Sequence, residues 1–176
     1  MSCDISEGRK EECKDNVGGI KAIYFINYLA SLLADASLTD EVITTLGTAT
    51  QTYKFELKGT NGYDEENGNS RESGTSFYTQ TGTVVLKKQN AVTQKNLKLA
   101  SYGRPQVIIE DYNGNFRLAG AEHGCEVVVN TSTGTGMGEL NGYNLTFTGI
   151  ERSPAHYIDA SLMDNVAGFV VNEGTN

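Results

Sequence analysis

Little in this sequence is suited to chemistry, and each candidate has a competing structural explanation. His123 sits in Ala121-Glu-His-Gly124, where Glu122 or Asp111 is the carboxylate placed to orient an imidazole. His156 is the only other histidine, and neither accompanies a nucleophile motif such as G-x-S-x-G. A structural histidine in a turn is the better reading of His123, because nothing assembles a nucleophile, a base and an oxyanion donor. Asp111, Asn113 and Asn115, with Glu122 in the twelfth position, repeat the ligand spacing of an EF-hand loop. The sixth position is Phe116 rather than glycine, and the flanks alternate like strands, so an Asn113-Gly114 hairpin accounts for the same letters. Cys3 and Cys13 are separated by nine residues, against the about two to four usual between zinc-binding cysteines. Thr133-Gly-Thr-Gly-Met-Gly138 has the glycines of a phosphate loop but lacks the lysine and the following helix. No catalytic residue, metal or cofactor is therefore expected.

Composition points the same way. The 176 residues carry 14 lysines and arginines against 22 aspartates and glutamates, a formal charge of −8, so the average surface repels nucleic acid. A chain of this length can bury a core without staples, and the three cysteines, Cys3, Cys13 and Cys125, are too few and too uneven for a disulfide framework. No stretch approaches the roughly 18 apolar residues of a membrane span, and the opening residues lack a secretory apolar run. The expectation is a soluble chain, made in the cytoplasm, with reduced thiols and no membrane insertion.

Twenty glycines, two prolines and many Thr, Val and Tyr favour strands and turns. Residues 20–28 alternate with Ile20, Ala22, Tyr24, Ile26 and Tyr28 on one face. Residues 29–38 are apolar and alanine-rich, and with Thr39-Asp-Glu41 as a cap they suggest a partly helical connection. Residues 52–58 set Tyr53, Phe55 and Leu57 on a dry face against Lys54, Glu56 and Lys58. Residues 91–101 are the best helix candidate, with Thr93 as N-cap and Gly103 as stop. Strands are expected through Val107-Ile-Ile109, over 116–119, 125–130 and 143–150, with the glycine-rich loop 131–138 between the last two. The end of the chain, 159–176, reads as a further edge strand or an arm. Six or seven strands without βαβ alternation imply a single, mainly β domain, an antiparallel sandwich or barrel with one flanking α-helix and a long projecting hairpin loop.

That hairpin is the polar insert 59–75. It follows a well-marked strand and precedes 76–82, where Phe77, Thr79 and Thr81 alternate with Tyr78, Gln80 and Gly82, so neither face is strongly apolar. A strand so weakly specified by its own core is expected to find its partner in another chain. The insert reads either as a solvated or disordered tip or as a contact between subunits. In the second case Tyr63 and Phe77 are the anchors, with Tyr78 beside them, Arg71 and Glu72 are rim charges, and Asp64-Glu65-Glu66 is an acidic cluster. Deleting residues 61–73 is then expected to leave the fold intact.

Several segments together resemble the tail tube (major tail) proteins of tailed bacteriophages. They are Cys3-Asp-Ile, Gly8-Arg, Cys13-Lys-Asp, Val17-Gly-Gly-Ile-Lys-Ala-Ile-Tyr-Phe-Ile-Asn27, Ser70-Arg-Glu-x-Gly-Thr75 and Leu97-Lys-x-x-x-Tyr-Gly-Arg-Pro105, continuing with Glu110-Asp-x-Asn-Gly-Asn115, Ala119-Gly-x-Glu-His-Gly124 and Met137-Gly-x-Leu-x-Gly-Tyr-x-Leu-Thr-Phe147. The resemblance spans 3–155 and leaves 160–176 unmatched. It implies a virion protein that self-assembles into hexameric rings stacked as a tube. Sheets of neighbouring subunits would join into an inner barrel, and a hairpin loop would reach the adjacent ring. Implied partners are further copies of the chain, other tail proteins (sheath or terminator, baseplate) and viral DNA passing without specific binding. A tail terminator or head-tail connector, forming one ring, is the alternative within that class. A stand-alone β-sandwich that binds glycans or a cell surface is the alternative outside it.

Overall fold

The computed structural model describes residues 5–175, so Cys3 lies outside the described residues. The described residues are mainly β, with two sheets and one α-helix. The strands are β1 (Ile20–Ile26), β2 (Ser37–Thr39), β3 (Val42–Thr45), β4 (Thr50–Glu56), β5 (Gly62–Ser70), β6 (Thr75–Lys87), β7 (Gln106–Asp111), β8 (Phe116–Ala119), β9 (Glu126–Ser132), β10 (Gly142–Glu151), β11 (His156–Ile158) and β12 (Phe169–Asn172). Helix α1 (Ala91–Tyr102) follows β6, and a 3-10 turn (Ala160–Leu162) precedes β12. The larger sheet runs β12-β4-β1-β7-β8-β11-β3-β2 and the smaller β5-β6-β10-β9. Pairing is antiparallel except for β11 on β3 and β12 on β4. One of the two sheets curls into a half-barrel, and no helix among the described residues is long and apolar enough to cross a membrane.

Two hydrophobic clusters share the larger sheet. Between the sheets, Ile23, Phe25, Val107 and Ile109 meet Val84, Leu86, Leu145 and Phe147, with Leu97 of α1 closing one side. On the opposite face of the larger sheet, Ala22, Tyr24, Ile26, Ile108 and Leu118 are covered by Leu32 and Leu162. Strand β1 is therefore buried on both faces rather than alternating dry and wet. A bulge between Ile20 and Ala22 reverses the parity at the start of β1, which sends Ile20 to the first cluster although its spacing puts it with Ala22.

The structure corrects several local expectations. Residues 29–36 are hydrogen-bonded turns, with Leu29, Ser31 and Leu33 carbonyls accepting from Leu32, Asp35 and Ala36, and no helix forms there. Asp40 and Glu41, at φ 49° and 64°, form the turn between β2 and β3 instead of capping a helix. The N-cap of α1 is Asn90, whose Oδ1 accepts from Val92 N–H at 2.8 Å, not Thr93. The Gly103 stop holds, its N–H donating to Leu99 at 3.2 Å. Along β4 neither face is wet throughout. Phe55 packs edge-on against Phe25 with centroids 5.2 Å apart, while Lys54 lies half-buried over the Tyr24 ring and bonds Glu173 at 2.9 Å. That bond raises the Lys54 pKa above its ordinary value. The chain's end supplies an edge strand, β12, parallel to β4.

The segment 59–75 is not a loop. Nine of its residues form β5, in register with β6 from Gly62↔Thr83 to Ser70↔Thr75. Nor does 76–82 lack partners in its own chain, because β6 also pairs with β10 from Gly142↔Lys87 to Glu151↔Tyr78. Its polar residues are explained by what they face. Gln80 is 1% exposed and its Oε1 accepts from Gly120 N–H at 2.8 Å. Gly82 must be glycine because a Cβ there would stand 2.0 Å from the ring of the fully buried Phe147.

Candidate functional site

The β5–β6 ribbon consists of an anchored stem and a bare tip. In the stem, Asn61 Oδ1 accepts from Val85 N–H at 2.7 Å, which fixes the entry to β5. Tyr63 points inward and packs against the first cluster. Its hydroxyl donates to Glu65 Oε2 at 3.0 Å, and the same oxygen accepts from Ala155 N–H at 2.8 Å. Burial, and then the Glu65 charge, push the Tyr63 pKa well above that of a free tyrosine, so the hydroxyl remains a donor. Glu65 thus ties β5 to the chain between β10 and β11.

Strand β10 accompanies β6 only as far as Tyr78↔Glu151. Beyond it Gly68↔Phe77, Asn69↔Ser76 and Ser70↔Thr75 pair alone and end in the turn 71–74. Residues 69–77 are all exposed. The turn is held by its own side chains, Ser73 N–H donating to Ser70 Oγ at 3.3 Å and the Ser73 and Thr75 hydroxyls bonding at 2.8 Å. The eight residues singled out in the sequence therefore fall into three groups. Tyr63, Glu65 and Tyr78 face inward on the stem; Asp64 and Glu66 stand on its outer face; Arg71 and Glu72 occupy the tip, with Phe77, 42% exposed, lying across Gly68 beside them.

The outer face of the smaller sheet is polar but seldom basic. It presents Asp64 and Glu66 of β5, Thr79, Thr81, Thr83 and Lys87 of β6, Asn144, Thr146 and Thr148 of β10, and Glu126 and Asn130 of β9, with Val128 of β9 and Ile150 of β10 exposed among them. Neither edge of this sheet, the far side of β5 or of β9, is paired with a further strand of the described residues, and α1 packs beside β9.

The groups that spacing marked as possible ligands are engaged within the fold. Asp111 Oδ1 accepts from Asn113 and Asn115 N–H at 2.9 and 2.8 Å, with Asn115 Nδ2 on Oδ2 at 3.1 Å, so the EF-hand letters build the β7–β8 hairpin, where Gly114 takes φ 82°. In the glycine-rich loop, Glu139 Oε2 accepts from the N–H groups of Thr135 and Gly136, so a carboxylate of the chain sits where an anion would. Those bonds lower the Glu139 pKa. His123 finds neither Glu122 nor Asp111. Its Nδ1 lies 2.9 Å from Oε2 of the buried Glu151, whose Oε1 accepts from Glu122 and His123 N–H at 3.2 and 2.9 Å. Glu122, His123 and Glu151 lie close enough to share a cation, but Glu151 is already committed to this turn. His156 Nδ1 stands 2.9 Å from Glu41 Oε2 without hydrogen-bond alignment.

No family model, curated protein or solved structure matches this chain. Function therefore has to be argued from its own surfaces. Those surfaces offer two unpaired strand edges, an outer sheet face dominated by hydroxyls and carboxylates, and a charged tip carried on a pinned stem. Sequence reasoning found the ribbon but missed Asn61, Gln80, Gly82, Arg117 and Glu151. Their partners, Val85, Gly120, Phe147, Tyr157 and His123, lie between 24 and 65 positions away in segments that a local window does not compare, and only Asn61-Gly62 carried a turn signal.

Proposed function

We propose that this protein is a structural subunit that assembles with copies of itself into rings stacked as a bacteriophage tail tube. The observation that carries the reading is the four-stranded sheet with both edges unpaired and a ribbon protruding beyond it. An uncovered strand edge is a template for pairing, and long edges are normally blunted in chains that remain monomeric. With β5 and β9 unpaired at opposite sides, edge-to-edge addition of copies extends one sheet around a ring, and closure of that ring removes the edges. The outer face of the sheet suits a conduit for DNA. Each lysine or arginine in such a lumen would hold a phosphate and slow passage, and the face carries Lys87 against Asp64, Glu66 and Glu126. Under this reading the passing DNA is a transient partner, and the tip makes the contact between successive rings.

Negative-stain microscopy of the purified protein at high concentration tests this. Rings or tubes of constant diameter are expected, whereas a monodisperse monomer at every concentration, with or without other tail proteins, overturns it. Single rings that never stack would favour a terminator or connector. The tip is tested by replacing residues 68–77 with Asn-Gly, an excision confined to residues beyond the last β10 pair. Rings without tubes are expected. Removing 61–73 instead would take out β5 with its Tyr63 packing and its Val85 and Ala155 bonds, so that deletion does not spare the fold.

A further inference from the structure

At the foot of the ribbon is an open cleft of about 350 Å³, bounded by Gly18 and Gly19, by Asn61, Tyr63 and Asp64 at the start of β5, and by Asp111 and Arg117 of the β7–β8 hairpin. That volume lies in the range of sites that hold a ligand, about 300–1,000 Å³. Asn61 is 5% exposed and its Nδ2 has no hydrogen-bond partner among the described residues, a donor pair buried without an acceptor. Arg117 stacks on the Tyr157 ring at 4.7 Å and donates to its hydroxyl at 2.8 Å, yet takes part in no ion pair among the described residues. The cleft thus presents the Arg117 cation without a carboxylate partner among the described residues, with the Asp64 carboxylate at its rim.

The ribbon tip offers the complementary set. Arg71 and Glu72 are adjacent, exposed and likewise outside every ion pair of the described residues. We infer that the cleft receives the tip of the same ribbon from a second copy, Glu72 meeting Arg117 while Arg71 meets Asp64. Tip and cleft lie at opposite ends of β5, separated by about 27 Å for its nine residues at about 3.3 Å each. Each copy therefore gives a tip at one end and takes one at the other. Such a head-to-tail contact is heterologous and adds copies along the ribbon without imposing closure. This rests on the tube reading and names the surface that successive rings would use.

The test is a charge swap read by the critical concentration for tube formation, from sedimentation and microscopy of the full chain. Wild type forms tubes; E72R and R117E each raise the critical concentration about tenfold or more, and the double variant E72R/R117E restores it to within about threefold, as coupled interface charges do. Because R117E also loses the Tyr157 contact, a second readout uses cysteine-free chains carrying E72C and D64C separately. Mixed tubes should yield 72–64 disulfide dimers on oxidation. Tubes that form normally with either single reversal, or that give no 72–64 dimer, overturn the tip-in-cleft contact and leave the tube reading standing. Absence of tubes from wild type overturns both.

Discussion

The packing of Phe147 against Gly82 offers the most direct check on the stem. An alanine Cβ at Gly82 would lie 2.0, 2.2 and 2.7 Å from three ring atoms of Phe147, against an ordinary contact of 3.4 Å or more. The ring must then retreat by at least about 1.4 Å in an interior packed to crystal-like density. Phe147 is 0% exposed, with Leu145 and Val84 also fully buried in the same cluster, so there is no free volume for it to enter. Overpacking of this kind costs about 1–3 kcal/mol. Gly82 does not adopt a left-handed φ, so alanine recovers about 0.5–1 kcal/mol of backbone entropy in the strand. The net expectation for Gly82→Ala is a loss of about 1 kcal/mol, or about 2–4 °C in Tm for a chain of this size. Urea unfolding at a concentration where sedimentation shows monomer measures it. Thr83→Ala, on the exposed face of the same strand, serves as control and should fall within about 0.5 kcal/mol. A double-mutant cycle with Phe147→Leu isolates the clash: the smaller side chain makes room, so the losses should be less than additive by about 1 kcal/mol. A Gly82→Ala variant as stable as wild type, or strictly additive losses in the cycle, would refute the packing argument.

Two chemical predictions follow from the environments of single groups. Burial pushes the Cys125 thiol up to about 12, so little thiolate exists near neutral pH, whereas Cys13 is exposed. With Cys3 and Cys13 replaced by serine, the native protein should not react with an aromatic disulfide reagent until urea unfolds it; prompt native labelling would contradict the buried placement. Glu139 titrates below its ordinary 4.5 because Thr135 and Gly136 N–H groups bind its ionised form. A lowered folded-state pKa stabilises the loop at pH values above the unfolded value, and the effect disappears as pH falls through the folded one. Amide exchange at Thr135 and Gly136 should therefore be protected at neutral pH and accelerate, relative to intrinsic rates, only as pH falls below the ordinary carboxylate range, and it should be insensitive to pH in Glu139→Gln.

What could be read from the sequence was the part in which a strand's own side chains form the core. Tyr143, Leu145 and Phe147 alternate because every second position of β10 is buried, and the Asn113-Gly114 turn declared the β7–β8 hairpin. Strand β5 was hidden because its inward residues are Tyr63, Glu65 and Asn67, and the carboxylate is tolerated only because Ala155 N–H and the Tyr63 hydroxyl bond it. The weak apolar face of 76–82 misled for the same reason. Gln80 and Gly82 face the core, one carrying a hydrogen bond to Gly120 and the other leaving room for a ring that β10 supplies. Complementarity across strands gives no periodicity within either strand. The bulge in β1 and the left-handed pair Asp40 and Glu41 are likewise backbone choices that apolar spacing does not encode.

These same contacts bear on assembly. A tip carried by a flexible loop would lose conformational entropy on each docking event, whereas one held on a pinned ribbon has already lost most of it on folding. The stem is fixed to the body at three separate points, Glu65 to Ala155, Gln80 to Gly120, and Gly82 beneath Phe147, while Asn61 bonds Val85 across its base. Only the residues beyond the Tyr78↔Glu151 pair are left without a third strand. The buried polar residues of the stem thus have a consequence outside the core, because they set the direction in which Arg71 and Glu72 project. Loosening the stem with Glu65→Ala should then weaken tube formation more than it weakens the fold, although Glu65 itself touches no neighbouring copy in the proposed contact.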